Sequence, residues 1–329
     1  ASKIQHVKNA TLDLNKYASS YSGNTLMHRL LFIAERSPEL QAQAAAMLED
    51  LRQKSWNVAF FKQAWDRLNQ QGLTAVINAQ WVEDVNRQTQ AQFDKLEAEL
   101  MQHRSTSNKE GIRATYLTEG DHMYTIGDIT GAIKQYLRAR DFNTTSEHNA
   151  EMNLRIARAS MEAGNWGSVS GSIAKIEQGG ASGDNLVRTR VFTLLINLQN
   201  KQFRSLARKI IDPVEGGCSM FASAPISDLV SPRDITIYTS LCALATFDRP
   251  ELRKQVLDNS QLRELLDDYA PEFRTVVSDF YTGRYASCFA SLERVRPDLL
   301  LNIHLNPHVN YLLQKIREKT IVQYSGPYL

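Results

Sequence analysis

Only three cysteines occur, Cys218, Cys242 and Cys288, and their odd number and wide spacing exclude a disulfide framework. They read as reduced, buried thiols of an intracellular protein. The sequon Asn143-Thr144-Thr145 is accordingly taken as chance rather than as a glycosylation site. No apolar run approaches the roughly 20 residues that span a bilayer. The first residues, Ala1-Ser2-Lys3-Ile4-Gln5-His6, lack the hydrophobic stretch of a secretion signal. Neither membrane insertion nor secretion is expected. A dominant charge is missing too: 38 Lys and Arg are interspersed among 36 Asp and Glu, for a formal charge of +2. A nucleic-acid partner would need basic residues gathered on one face, so none is expected.

Catalytic motifs are equally scarce. No Gly-rich phosphate loop ending in Lys-Ser/Thr occurs. His304-Leu305-Asn306-Pro307-His308 carries two histidines four apart, as zinc metalloproteases do. It lacks the Glu that serves as base between them, and Pro307 starts a helix between the rings. Gly167-Ser168-Val169-Ser170-Gly171 has valine where a nucleophile elbow needs serine, in a helical rather than strand-turn-helix context. Trp56, Trp65, Trp81 and Trp166 lie at helical spacing without interleaved basic residues, which suits packing better than base stacking. We therefore expect no catalytic, cofactor-binding or metal-binding residues, no cofactor, and a protein that is not an enzyme.

What is present is helical periodicity almost throughout, and the expected fold class is all-α. Leu26, Leu30, Ile33 and Ala34 share one helical face. Ser37-Pro38 reads as the start of a further, alanine-rich helix, with Ser as cap and Pro at the first position. A long helix is expected near 81–103, with Val82, Val85, Phe93, Leu96 and Leu100 as a narrow apolar stripe. Its charged side is a possible docking face for a neighbour. Ser231-Pro232-Arg233-Asp234 is a helix start with Ser cap, Pro at the first position and an acid at the third. Further helices are expected to open near Pro250, Pro271 and Pro307.

A repeat lies in the middle of the chain. Gly127-Asp128-Ile129, Gly164-Asn165-Trp166 and Lys201-Gln202-Phe203 are spaced 37 residues apart, and each carries an apolar residue five places after the first: Ala132, Val169 and Leu206. The spacing is close to the roughly 34 residues of a tetratricopeptide repeat. A fourth copy is Gly283-Arg284-Tyr285 with Cys288. In such a unit the glycine ends one helix in a left-handed conformation. The bulky residue two places on (Ile129, Trp166, Phe203 or Tyr285) opens the next helix and is expected to plug the groove between repeats. One helix pair cannot bury its own apolar face, so the pairs must stack. Gly179 to Asp184 reads as a flexible connector, and Pro213 to Pro225 as a segment boundary.

A longer set of residues carries a family resemblance. It comprises Ser231-Pro232, Tyr238, the run from Leu241-Cys242-Ala243-Leu244 through Phe247-Asp248-Arg249-Pro250 to Leu252, Tyr285-Ala286-Ser287-Cys288, Asp298-Leu299-Leu300-Leu301, Pro307-His308-Val309, and Gln323-Tyr324 before Ser325-Gly326-Pro327-Tyr328. Toward the N-terminus it adds Tyr17-Ala18-Ser19, Tyr21-Ser22-Gly23 and Phe32-Ile33-Ala34. It continues with Lys109-Glu110, Gly120-Asp121-His122, Gly127-Asp128 and Ala139-Arg140-Asp141. The set resembles the subunit-one family of the constitutive photomorphogenesis (COP) signalosome, PCI-domain proteins paralogous to proteasome-lid subunit seven. The lid subunit is less similar around Thr246-Phe247-Asp248-Arg249 and the N-terminal Tyr-Ser-Gly motif.

The resemblance implies a tetratricopeptide-like helical-repeat solenoid running into the helical part of a PCI domain. It implies an N-terminal helical region over 1–107, repeats over 108–215, and the helical PCI portion over 216–329, ending before a winged helix. It also implies a scaffold role, in the nucleus and cytoplasm, in a complex that removes a ubiquitin-like modifier from cullins. That activity resides in another subunit. Expected partners are other signalosome subunits and cullin-RING ligase components, with the fragment itself monomeric. The alternatives are a proteasome-lid scaffold and a free-standing peptide-binding repeat module. The latter would need Lys, Arg and Asn lining a concave groove.

Overall fold

The computed structural model describes residues 5–212 and 217–325. The expected boundary at 215/216 and the motif residues 326–328 lie outside the described residues. Helices and turns account for the fold, with no strand among the described residues. The first helices are α1 (Leu14–Ala18), α2 (Gly23–Arg36), α3 (Gln41–Arg52), α4 (Val58–Asn69), α5 (Ala79–Ser105) and α6 (Lys109–Ile126). Next come α7 (Ile129–Ala139), α8 (Ser146–Glu162), α9 (Trp166–Gly179), α10 (Gly183–Gln199), α11 (Phe203–Ile211) and α12 (Pro232–Thr246). The last are α13 (Arg249–Glu251), α14 (Ser260–Tyr269), α15 (Pro271–Tyr281), α16 (Tyr285–Leu300) and α17 (Val309–Ser325). None is long and apolar enough to cross a membrane among the described residues.

Two compact units make up the chain: residues 42–192, and residues 1–41 together with 193–329. This differs from the three segments read from sequence. A cut at 107/108 would sever α5 from α6, which pack together; Leu100 shares a core with Ile112 and Tyr116. The first 41 residues belong with the C-terminal helices rather than with those that follow them.

In the unit of residues 42–192, successive helices from α5 to α9 pack each on the next, the pattern of a solenoid. Gly120 is what lets α7 approach α6. A Cβ there would lie 2.4 Å from the ring of Tyr136, which is fully buried. The Tyr136 hydroxyl donates to Asp121 at 2.8 Å, and Arg155 and Arg158 of α8 pair with the same carboxylate. One acid thus ties three helices together beside an apolar core.

The other unit is organised on α12. A helix apolar all round must be surrounded, and every residue of α12 from Asp234 to Leu244 is buried. It packs against α11, α14, α15 and α17. Its N-terminus carries the expected capping box, Ser231 with Asp234. Its C-terminus is closed by Lys319 of α17, whose ammonium donates to the carbonyls of Leu244, at 2.8 Å, and Phe247.

Two local expectations are corrected. Ser37 does not open a helix: it ends α2, its N–H donating to the Ile33 carbonyl at 2.8 Å, and α3 begins only at Gln41. A turn over 38–40, closed by the Leu40 N–H on the Ser37 carbonyl, takes the place of the first helical turn. The segment ending at Pro225, expected to be a boundary, is packed into a core where it is described, and the two units do not divide there. Cys218 and Phe221 are buried there, as are Ile226, Leu229 and Val230 just beyond.

Candidate interaction site

The three turns at the 37-residue spacing and the fourth copy at Gly283 share one geometry. Gly127, Gly164 and Gly283 have φ of 90°, 72° and 79°, and Lys201, in the glycine's place, has φ 58°. The following N–H returns to a carbonyl of the helix just ended: Asp128 to Met123 at 2.9 Å, Asn165 to Ser160 at 2.9 Å, Gln202 to Asn197 at 2.8 Å, and Arg284 to Asp279 at 2.8 Å. Such bonds close a helix whose last residue is left-handed. Ile129, Trp166, Phe203 and Tyr285 then open α7, α9, α11 and α16.

Burial distinguishes two positions in these turns. Ala132, Val169, Leu206 and Cys288, one turn into each helix, are all 0% exposed. Of the bulky opening residues only Phe203 is buried, its ring 5.6 Å from that of His308; Ile129, Trp166 and Tyr285 are half-buried. The smaller residue fills the space between helices. A fifth turn escaped the spacing argument because it has neither glycine nor the 37-residue interval. Ser107 sits at φ 55°, the Asn108 N–H reaches the His103 carbonyl at 2.9 Å, and Ile112 is buried.

A buried polar cluster was not found from sequence. Arg29 of α2 is 1% exposed and donates to Asp234 at 2.9 Å and to the Tyr17 hydroxyl at 3.1 Å. Its guanidinium lies 4.1 Å from the centre of the Tyr21 ring. Asp234 also accepts from the Tyr21 hydroxyl at 2.8 Å and from the Asn302 amide at 2.8 Å. Asn302 in turn accepts from the Tyr238 hydroxyl at 2.6 Å. Sequence reading had placed Ser231-Pro232-Arg233-Asp234 only as a helix start, and the two N-terminal tyrosines only as family markers. The available signal was Arg29 itself, a charge adjoining the apolar stripe Leu26, Leu30 and Ile33.

Electrostatics follow from the burial. Desolvation opposes the charge on Arg29 but is outweighed by Asp234 and the surrounding tyrosines, so the guanidinium holds its proton more tightly than usual. Burial raises the hydroxyls of Tyr17, Tyr21 and Tyr238 above the ordinary tyrosine value. His304, beside this cluster, is pushed down to about 3 by burial and then by the Arg29 charge. The charges of Arg29 and Asp234 cancel, and the hydrogen bonds among these side chains fix their geometry, with the Arg29 Nε alone of the guanidinium nitrogens left without a partner.

The cluster floors an open cleft of about 460 Å³. Thr11, Leu12 and Asp13 line it together with Arg294 and Asp298 of α16. Its lining mixes acids, bases and apolar side chains, among them the ion pair of Arg233 with Glu272 at 2.5 Å.

The remaining candidates are structural in their surroundings. His304 lies in the turn after α16, where its N–H donates to Asn302; His308 ends a 3₁₀ turn and packs on Phe203. No group of three or more His, Cys, Asp or Glu that could hold a metal occurs among the described residues. Cys218, Cys242 and Cys288 are free and buried, and burial raises all three thiols, Cys218 and Cys288 to about 12. Ser168 lies in helix α9, bonded to Ser160 at 2.9 Å.

Comparison with known proteins agrees with this architecture. The protein-family model described as 26S proteasome subunit RPN7 matches residues 78–255. COP9 signalosome complex subunit 1 of Arabidopsis thaliana is 35% identical over 326 residues, covering 97% of this chain and 72% of that protein. COP9 signalosome complex subunit 1b of Drosophila melanogaster is 28% identical over 381 residues, covering 98% and 71%. COP9 signalosome complex subunit 1 of Emericella nidulans is 33% identical over 327 residues, covering 96% and 64%. With a helical repeat, a PCI-type helical unit and similarity along almost its whole length, the chain belongs to the COP9 signalosome subunit 1 family, within the wider group of RPN7-like PCI proteins.

Proposed function

We propose that this chain is a non-catalytic scaffold subunit of a COP9 signalosome, organising the complex that removes a ubiquitin-like modifier from cullins. The observation that carries the reading is the 35% identity to Arabidopsis subunit 1 across 97% of the chain. A holding role is supported by how the charged groups of the cleft are used: Asp234 is bonded to Arg29 and Glu272 to Arg233, as structural ion pairs. On this reading the isopeptidase chemistry belongs to another subunit. The partners are the other signalosome subunits and, through them, cullin-RING ligases. The residence is nuclear and cytoplasmic, and the 329-residue chain alone is monomeric.

The test is affinity purification of the tagged, full-length protein from its own cells, followed by identification of what accompanies it. Signalosome subunits in stoichiometric amounts are expected. Recovery with the proteasome regulatory particle instead would replace this reading with that of a lid subunit, the assembly named by the matching family model.

A further inference from the structure

We propose that residues 8–12 are a flap along the cleft, latched to Asp298, which opens while Asp13 and the helix behind it stay seated. The flap is bounded by two anchors. Val7 is 4% exposed, with its N–H on the Arg36 carbonyl at 2.7 Å, and Leu14 is 1% exposed. Between them the chain is held by two carboxylates, the exposed Glu39 and the half-buried Asp298. The Asn9 N–H donates to both oxygens of Glu39 at 3.2 and 3.1 Å. The Thr11 N–H and hydroxyl donate to the two oxygens of Asp298 at 2.8 and 2.7 Å, bonds at the surface of the molecule. Asn9 turns the chain in the left-handed region, φ 59°, which asparagine tolerates.

The two ends of the cleft wall therefore differ in kind. At the inner end Tyr17 and Tyr21 are held by Arg29 and Asp234, where breaking a bond strands a buried polar group. At the outer end water can replace each bond as it breaks, so opening is cheap. Thr11, Leu12 and Asp13 all line the cleft. Asp13 caps α1, its side chain accepting from the Asn15 and Lys16 N–H groups at 3.0 and 3.3 Å and its carbonyl from the Tyr17 N–H at 2.9 Å, so it stays with the helix. Swinging out Thr11 and Leu12 widens the cleft without disturbing α1, and the hinge lies between Leu12 and Asp13.

Amide hydrogen exchange resolved by residue on the full chain tests this. Asp298→Ala, which removes both acceptors, is expected to speed exchange of the Thr11 amide by about tenfold or more, and Thr11→Val by about two- to threefold, since it keeps the backbone bond. The Tyr17 amide stays within about twofold of the parent in both. A Tyr17 amide that accelerates in step with Thr11 would make flap and helix one piece and overturn the proposal. So would a Thr11 amide unmoved by Asp298→Ala. If loss of helical circular dichroism shows that Asp298→Ala does not fold, Thr11→Val decides by the same two amides.

Discussion

Arg29 and Asp234 meet at 2.9 Å across 205 residues of chain, both almost wholly out of water. A buried pair of this kind contributes little compared with an apolar replacement, but losing one partner leaves a charge stranded. Asp234→Ala is therefore expected to cost about 3–5 kcal/mol, read as a fall in the urea midpoint at constant slope. Arg29→Met should cost a comparable amount. The double variant should cost less than the sum, since each change has already removed the same contact.

Acid sensitivity should trace in part to His304. Its folded value of about 3 lies below the ordinary 6.5, so the unfolded chain takes up a proton that the native one refuses. The stability it protects is complete above pH 6.5 and is lost progressively as pH falls toward 3. The slope is at most about 1.4 kcal/mol per pH unit. Urea unfolding of His304→Gln at pH 7 and pH 5 should show a smaller loss between the two than the parent shows.

The turns offer a graded series. Gly164→Ala meets open space and pays only for a left-handed alanine, about 1–2 kcal/mol. Gly127→Ala pays that and more, because its Cβ would lie 2.5 Å from the Asn57 Oδ1. Lys201→Gly reverses the sign, relieving a lysine held at φ 58° for a gain of about 1 kcal/mol. Thermal melts should place Lys201→Gly above the parent, Gly164→Ala below it and Gly127→Ala lowest.

The two positions after each turn should also separate. Leu206→Ala opens a cavity at a site with no exposure and is expected to cost about 2–5 kcal/mol. Ile129→Ala, at a half-buried position, should cost well under that. Equal losses in chemical denaturation would restore the bulky opening residue to the role of plug.

Local features were legible in the sequence and long-range ones were not. The turns at Gly127, Gly164, Lys201 and Gly283 announce themselves because a left-handed position and a helix start lie within three residues of each other. The Ser231 cap is legible for the same reason. Ser37-Pro38 misled because a Ser-Pro pair also suits the turn that here follows a helix end. Glycine and proline near Gly217 suggest a segment boundary, and no local pattern announces the burial of Cys218 and Phe221. The Arg29–Asp234 pair was beyond reach because no local pattern records a partner 205 residues distant.

That distance has a consequence for how the protein is made. Arg29 leaves the ribosome with its tyrosines and waits for Asp234, which at roughly 5–20 residues per second arrives some 10–40 s later. Asn302 comes later still. Throughout that interval the first helices carry an unpaired arginine and an apolar face that nothing yet covers, while the repeats between can already be folding from their neighbours. The helices around Arg29 are thus made long before the residues that complete their packing, which makes them a stretch that a chaperone has reason to hold.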